Sequence, residues 1–543
     1  MTKQLFFGDN LQILREHVRD ESVDLIYLDP PFNSKRDYNL LFKTPKGHES
    51  DAQITAFEDT WHWGGQAQDE FREILKCGNS DVAEMMEALR KFLGENDMMA
   101  YLTMMANRLL EMHRVLKPTG SLYLHCDPTA SHYLKIVLDG VFGKLNYRNE
   151  ITWKRTSGHN DATRRFGDVA DILLFYTKSD KYNFNVQYMP YSPEYLDTFY
   201  VHHDPDGRRW RRSDLRSPNP RPNLIYDYKG YKPHPNGWAV TKDKLEKLDA
   251  EGRLHFPKKE GGRIQLKRYL DEQSGQPATS IWDDISSIHA LTDERLGYPT
   301  QKPVALLERI ISASSYEGDV VLDPFCGCGT ALDAAQKLKR DWIGIDITHL
   351  AVSLIEKRLK DRYPELQGKG AFIVEGVPQD FAGARNLAER DKHQFQLWAC
   401  SLVGVQPYRG GKKGADQGID GLGFIEVAKG KTEKVVVSVK GGENIGASMV
   451  RDLKGTVERE KAAIGLFVTL ADPTKPMLTE AASAGHYESP HHGGFARIQI
   501  LTIAGLLDGT QRPHWPDLAS GGQNFKKAKA EAKGGKQKDL FGK

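Results

Sequence analysis

Val320-Val321-Leu322-Asp323-Pro324-Phe325-Cys326-Gly327-Cys328-Gly329-Thr330 decides how this chain is built. An apolar run ends in Asp-Pro-Phe and then in Gly-x-Gly, which reads as a buried strand running straight into a tight turn. Gly327 and Gly329 let the backbone turn sharply and approach a ligand with no Cβ in the way. A second stretch of the same kind lies far earlier, where Val23-Asp24-Leu25-Ile26-Tyr27-Leu28 runs into Asp29-Pro30-Pro31-Phe32. Each is an aspartate at the carboxyl end of an apolar strand.

Strands and helices alternate around both stretches. Residues 5–10 form a short strand with a helix cap at Asp9 or Asn10, and a helix follows over 11–18. Residues 36–80 are polar and without a trustworthy period, so a long loop at the active site is expected. Helical spacing returns over 82–94 and 98–116, and Lys117-Pro118-Thr119-Gly120 stops it. Further strands are expected at 121–126, 150–154, 172–176 and 341–346, with helices at 131–142, 304–314, 331–338 and from 346 to about 362. This predicts a doubly wound α/β sheet, in which ligands sit beyond the carboxyl ends of the strands. From about Ser179 to Ser287 the character changes to dense Pro, Gly, Arg and aromatics.

Composition excludes more than it identifies. The 543 residues exceed one ordinary domain. Hydrophobic content of 39% supports packed cores. With 75 basic and 73 acidic residues, any nucleic-acid surface must come from local clustering. The five cysteines (Cys77, Cys126, Cys326, Cys328 and Cys400) are scattered, as in a reducing cytoplasm without a disulfide framework. Cys326-x-Cys328 lacks a second pair at a spacing suited to zinc. No apolar run is long enough for a bilayer and Met1-Thr2-Lys3-Gln4 opens no signal peptide, so a soluble cytoplasmic protein is expected.

Together, and in this order, the two strand–turns resemble the S-adenosylmethionine-dependent DNA amino-methyltransferases of the circularly permuted β class, over roughly residues 1–180 and 290–380. The resemblance implies a circularly permuted Rossmann-like methyltransferase sheet with an inserted target-recognition region. It implies a cofactor site built from Asp9, Lys302, Pro303, Asp323, Phe325, Gly327, Gly329, Thr330 and Asp346. Within it Thr300-Gln301-Lys302-Pro303 lies near the cofactor carboxylate, Gly8-Asp9 near the adenine, and Asp346 accepts from the ribose hydroxyls. The turn Asp29, Pro30, Pro31, Phe32 is then the catalytic one. An exocyclic base amine is a poor nucleophile because its lone pair is delocalised into the ring. The Asp29 side chain and the Pro30 carbonyl accept its two N–H bonds and favour the pyramidal nitrogen that attacks. Both prolines fix φ and aim their carbonyls. Phe32 stacks the base, which must be flipped out of the duplex. No Pro-Cys nucleophile for carbon methylation is present. In the family, Asp rather than Ser at the head of the turn favours adenine N6 over cytosine N4.

Expected domains are 1–180 (catalytic half), 181–287 (target recognition), 288–383 (cofactor half), 384–513 (nuclease-like) and 514–543 (basic tail). In the recognition region Arg208, Arg209, Trp210, Arg211 and Arg212 are candidates for contact with double-stranded DNA, against the bland reading of a solvated loop. Residues 384–513 resemble the Mrr-type restriction endonucleases, a PD-(D/E)xK-like α/β domain. That resemblance gives Asp420 the Mg²⁺ and Lys440 the attacking hydroxide. Ser438 stands where Glu or Gln is usual, and the preceding helix reads Gln394-Phe395-Gln396, so Mg²⁺ is expected only if Glu426 or Glu443 completes the site. The tail carries Lys526, Lys527, Lys529, Lys533, Lys536 and Lys538. Gln537-Lys538-Asp539-Leu540-Phe541 resembles the pentapeptide by which bacterial proteins dock on the replication sliding clamp. Oligomeric state stays open, a dimer included. The expected activity is site-specific N6-adenine DNA methylation fused to a module that cleaves or binds DNA. The alternatives are an N4-cytosine enzyme of the same architecture, or a restriction nuclease whose methyltransferase part only senses DNA.

Overall fold

A computed structural model describes residues 3–31, 37–43, 49–58, 62–156, 166–259, 261–288, 292, 294–296, 298, 301–368, 370–378, 380–408, 418–428, 431–489 and 493–515. Phe32, Thr300, the Glu426 side chain and the motif at 537–541 lie outside the described residues.

Among the described residues nine strands make the main sheet. Their order is Ile281–Trp282, Tyr147–Lys154, Ala170–Thr177, Leu116–Cys126, Val23–Leu28, Val320–Asp323, Asp341–Asp346, Lys3–Phe7, Ile373–Glu375. Only Ala170–Thr177 runs antiparallel to its neighbours. The two strands singled out in the sequence are central and adjacent, with Val321 opposite Leu25 and Leu322 opposite Ile26. The first strand of the chain inserts beside Asp341–Asp346, Phe7 facing Asp346.

Helices cover both faces, which is why the strands read as continuous apolar runs rather than alternations. All six residues of Val23–Leu28 are buried. Leu25 and Tyr27 face one core with Leu306, Leu307, Ile310 and Ile355. Ile26 and Leu28 face the other, with Leu102, Met105, Leu109 and Leu138. Asp24 is the polar member of that run. Its two oxygens accept from Lys117 Nζ at 2.8 and 2.7 Å, and Oδ2 also accepts from Val320 N at 2.9 Å. One buried carboxylate thus stitches three neighbouring strands together.

The expected loop over 36–80 is structured. Asp37–Lys43 and Glu49–Glu58 pair as an antiparallel hairpin, followed by the helix Gly65–Leu75. That helix buries only Phe71 and Ile74, too sparse an apolar stripe to announce itself in a polar stretch. Lys117-Pro118-Thr119-Gly120 does end the helix Asp97–Val115, but the strand Leu116–Cys126 begins at once and contains it.

Residues 186–279 fold as a second compact unit. A four-stranded sheet orders Leu254–His255, Gln265–Tyr269, Arg209–Asp214 and His202–His203. Its core is Leu215, Tyr228, Trp238, Leu245, Leu254 and Ile264.

The C-terminal segment belongs to the same compact unit as the main sheet. It builds a five-stranded sheet from Gln406–Pro407, Gly421–Ala428, Lys431–Lys440, Ile464–Thr469 and Ile498–Thr502. Leu397, Leu422 and Val450 of this segment share one apolar cluster with Tyr298, Cys328, Ala351 and Leu354. Among the described residues no helix is long and apolar enough to cross a membrane.

Candidate active site

Four parallel strands, side by side, end at one edge in Asp29, Asp323, Asp346 and Gly8-Asp9. Lys302 joins them from the segment before the helix Val304–Ser314. It is 8% exposed and its ammonium donates to Asp29 Oδ2. Pro303 is the cap residue of that helix. Glu294 Oε1 accepts from Val304 N, and Gln301 is held at both ends, its amide donating to Glu294 O at 2.8 Å and accepting from Leu296 N at 2.8 Å. Lys302 is therefore delivered by a braced turn.

The glycine turn is held from below. Gly327 and Gly329 have φ of 49° and 73°, in the left-handed region. A Cβ on Gly329 would lie 2.7 Å from Ile355 Cγ1, and one on Gly327 3.2 Å from Tyr298. Asp346 Oδ2 accepts from Gly327 N at 2.9 Å, and Oδ1 accepts from Thr348 N and Oγ1, each at 2.8 Å. Burial pushes this carboxyl up to about 6, against the pull of those hydrogen bonds. Burial likewise raises Asp323 well above the carboxylate range, with Asp29 and Asp346 nearby adding to it, though Phe325 N donates to its Oδ1 at 3.1 Å. Phe325 packs at the margin of the helical core. Thr330 opens the helix after Gly329, and its hydroxyl is buried and accepts from Arg358 Nη1 at 3.3 Å. It braces the loop from within.

Arg108 went unread in the sequence, and Asn10 was read only as one of two candidates for a helix cap. Asp9 caps the helix Asn10–His17, accepting from Leu11 N at 3.0 Å and Gln12 N at 3.2 Å. Its other oxygen accepts from Arg108 Nη2 at 2.9 Å. Arg108 Nε donates to Asn10 Oδ1 at 2.6 Å, and Asn10 Nδ2 donates to Pro324 O at 2.8 Å. A cation in the middle of a Met- and Leu-rich helix thereby fixes the carbonyl of the Asp323-Pro324 turn. Its only sequence signal is a charge on an otherwise apolar helix face.

The arginine run in the second unit divides. Arg208 donates to Asp271 Oδ2 and Oδ1 at 2.9 Å each and lies 3.8 Å over the Tyr269 ring. Arg209 binds the carbonyls of Tyr200 and Leu196, at 2.5 and 2.8 Å. Trp210 is 5% exposed and stacks on His202, with ring centroids 4.5 Å apart. Arg211 is half-buried, 5.9 Å over Tyr200. Arg212 is exposed. Three of the five candidates thus serve the unit's own fold.

In the C-terminal segment Asp420 and Lys440 do come together, at 3.8 Å. The carboxylate is already engaged, Oδ2 by Val439 N at 2.7 Å and Oδ1 by Gln396 Nε2 at 3.0 Å. Glu443 points instead to Arg385 at 3.7 Å and is largely exposed. Among the described residues no three His, Cys, Asp or Glu side chains gather as metal ligands. Among the described residues Asp420 has no second carboxylate beside it for Mg²⁺; the Gln396 amide donates to it instead, and the Glu426 side chain lies outside the described residues.

Residues 23–357 match the family model described as DNA methylase, N6_N4_Mtase. The chain belongs to that DNA methylase family. Residues 393–508 match the model described as NACHT-associated inactive restriction endonuclease 1, in accord with the engaged Asp420. Among similar proteins, the type II methyltransferase M.EcaI of Enterobacter cloacae is 34% identical over 299 residues, 54% of this chain. The type III restriction-modification enzyme StyLTI Mod subunit of Salmonella typhimurium is 28% identical over 350 residues, 62% of this chain. The matches span 65% of the first relative's length and 50% of the second's. The crystal structure of TTHA0409 from Thermus thermophilus, complexed with S-adenosyl-L-methionine, aligns over 68% of this chain and 99% of that one, at 17% identity and a TM-score of 0.32.

Proposed function

We propose that this methylase family member transfers the methyl group of S-adenosylmethionine to the N6 amine of adenine in double-stranded DNA. The observation that carries the reading is the adjacency of the two Asp-Pro turns, with Lys302 bound to Asp29 between them. When bound, S-adenosylmethionine supplies an electrophilic methyl group on a sulfonium. The residues suit such a ligand. Carboxylates gathered at one sheet edge match its positive charge and hydroxyls, and the glycine turn leaves room for close approach.

Asp29 and the Pro30 carbonyl accept from the amine, holding its lone pair out of conjugation and towards the methyl group. Lys302 holds the Asp29 carboxylate in one orientation through its hydrogen bond to Oδ2. Asp29 would accept the proton that the amine sheds as its nitrogen–methyl bond forms and the sulfur–methyl bond breaks, the cofactor leaving as the neutral thioether. Adenine rather than cytosine follows from Asp29 at the head of the turn, in the manner of the family. Arg212 is the run's candidate for a phosphate or base contact, and the C-terminal segment is a module that does not cleave.

Nucleoside mass spectrometry of unmethylated duplex DNA, incubated with the protein and S-adenosylmethionine, tests this. N6-methyladenine that disappears in Asp29→Ala is expected. N4-methylcytosine would overturn the base assignment, and no methylated base on varied DNA would overturn the reading.

A further inference from the structure

Behind the Asp29 turn a chain of polar groups crosses the sheet where an apolar core would be cheaper to build. Tyr27 OH lies 3.0 Å from His125 Nδ1, and His125 Nε2 lies 3.1 Å from Asp171 Oδ2. Arg155 Nε completes the line, 3.1 Å from Asp171 Oδ1. The residues come from the neighbouring strands Val23–Leu28, Leu116–Cys126, Ala170–Thr177 and the end of Tyr147–Lys154. Tyr27, His125 and Asp171 are all buried, whereas the Arg155 side chain is 47% exposed. The line therefore runs from beneath the site to the surface.

The direction of each bond follows from what each group is able to give. Burial alone would raise Asp171, but the hydrogen bond from His125, with Lys302 and Arg155 nearby, brings it below the ordinary carboxylate range, so it only accepts. His125 then carries a proton on Nε2. Burial, with the carboxylates of Asp29, Asp323 and Asp171, keeps the Tyr27 phenol protonated, and it donates to Nδ1. Trp153 stands edge-on to the imidazole at 5.8 Å and blocks rotation of the ring on that side. With a neutral imidazole at His125 every member has one arrangement.

We propose that Tyr27, His125 and Asp171 are positioning residues for the Asp29-Pro30 turn, a buried relay that fixes where the amine acceptors stand. The inference rests on the methyl-transfer reading above. Tyr27 is two residues before Asp29 and is the polar side chain of its strand nearest that end, since Asp24 is engaged at the far end. Anchoring the phenol fixes the last residues of the strand and so the direction of the Pro30 carbonyl. Acceptors placed about 1 Å wrongly lose roughly a hundredfold in rate without any loss of substrate contact. The relay acts on the transition-state geometry and leaves the cofactor loop, which is held by Asp346 and Arg108, untouched.

The test uses the full chain and single substitutions that keep the packing. Tyr27→Phe and His125→Leu are expected to lower kcat about tenfold or more, with the cofactor Kd by calorimetry within about twofold of the unsubstituted protein. His125→Gln, whose amide donates and accepts along the same line, is expected to recover most of the His125→Leu loss. Melting curves identify any variant that fails to fold, and Tyr27→Phe, which removes a single oxygen, remains decisive. A Tyr27→Phe protein with unchanged kcat, or with its whole loss in cofactor Kd, overturns the relay and leaves the methyl-transfer reading standing. Failure of the unsubstituted protein to methylate any DNA overturns that reading and the relay with it.

Discussion

Lys302 Nζ donates to Asp29 Oδ2 across 273 positions of sequence, so the segment before the helix Val304–Ser314 is tied directly to the turn that follows the strand Val23–Leu28. Removing that cation leaves a shielded carboxylate without its partner. Lys302→Met is expected to lower kcat/KM about a hundredfold, equivalent to about 2.7 kcal/mol of transition-state stabilisation. Lys302→Arg is expected to retain more activity. Steady-state methylation with tritiated cofactor measures both, and a Lys302→Met enzyme within about threefold of the unsubstituted one would break the link.

Asp346 gives a pH signature. Its carboxyl is raised from 3.8 to about 6 in the fold, so the folded state binds the proton more tightly than the unfolded state does. This group's contribution to stability is therefore fully present below about 4 and is lost as pH rises to about 6. The ionised form is the better acceptor for ribose hydroxyls, so cofactor affinity is expected to rise several-fold across the same window. Calorimetric titrations at pH 5 and 7 should show that rise, and Asp346→Asn should flatten it.

Gly329→Ala meets two obstacles, a φ of 73° and Ile355 Cγ1 2.7 Å from the new Cβ. A loss of about 1–3 kcal/mol is expected from the backbone strain alone. Denaturant melts and cofactor titration should both register it. Ile355→Ala in the Gly329→Ala background relieves the contact and not the strain, so rescue should be partial.

In the C-terminal segment, Asp420 is a structural acceptor. Asp420→Ala is expected to cost about 1–3 kcal/mol by stranding Val439 N and the Gln396 amide, and to change no DNA cleavage. Supercoiled plasmid incubated with Mg²⁺ should stay intact with either protein. Mg²⁺-dependent nicking that Asp420→Ala abolishes would restore the nuclease reading.

Arg212→Ala is expected to weaken DNA binding several-fold and to lower the salt slope of the binding constant by about one. Arg208→Ala should instead act mainly through stability, because that guanidinium is committed to Asp271 and Glu272. Fluorescence anisotropy at several salt concentrations separates the two.

The central strands and their turns were legible because burial on both faces leaves unbroken apolar runs ending in Asp-Pro. The polar hairpin and helix within 36–80 were not, since neither period carries enough apolar residues there. Arg208 read as a DNA contact because charge is visible in a sequence and its partners, some sixty positions on, are not. Arg108, His125 and Asp171 stayed hidden for a similar reason. Each looks ordinary on its own helix or strand and acquires a role only when distant elements are brought beside it.

Tyr298, Cys328, Ala351 and Leu354, in and around the Gly327–Gly329 turn, share their apolar cluster with Leu397, Leu422 and Val450. Exchanging the C-terminal segment for another would therefore require new apolar partners for the residues around the glycine turn in the same step.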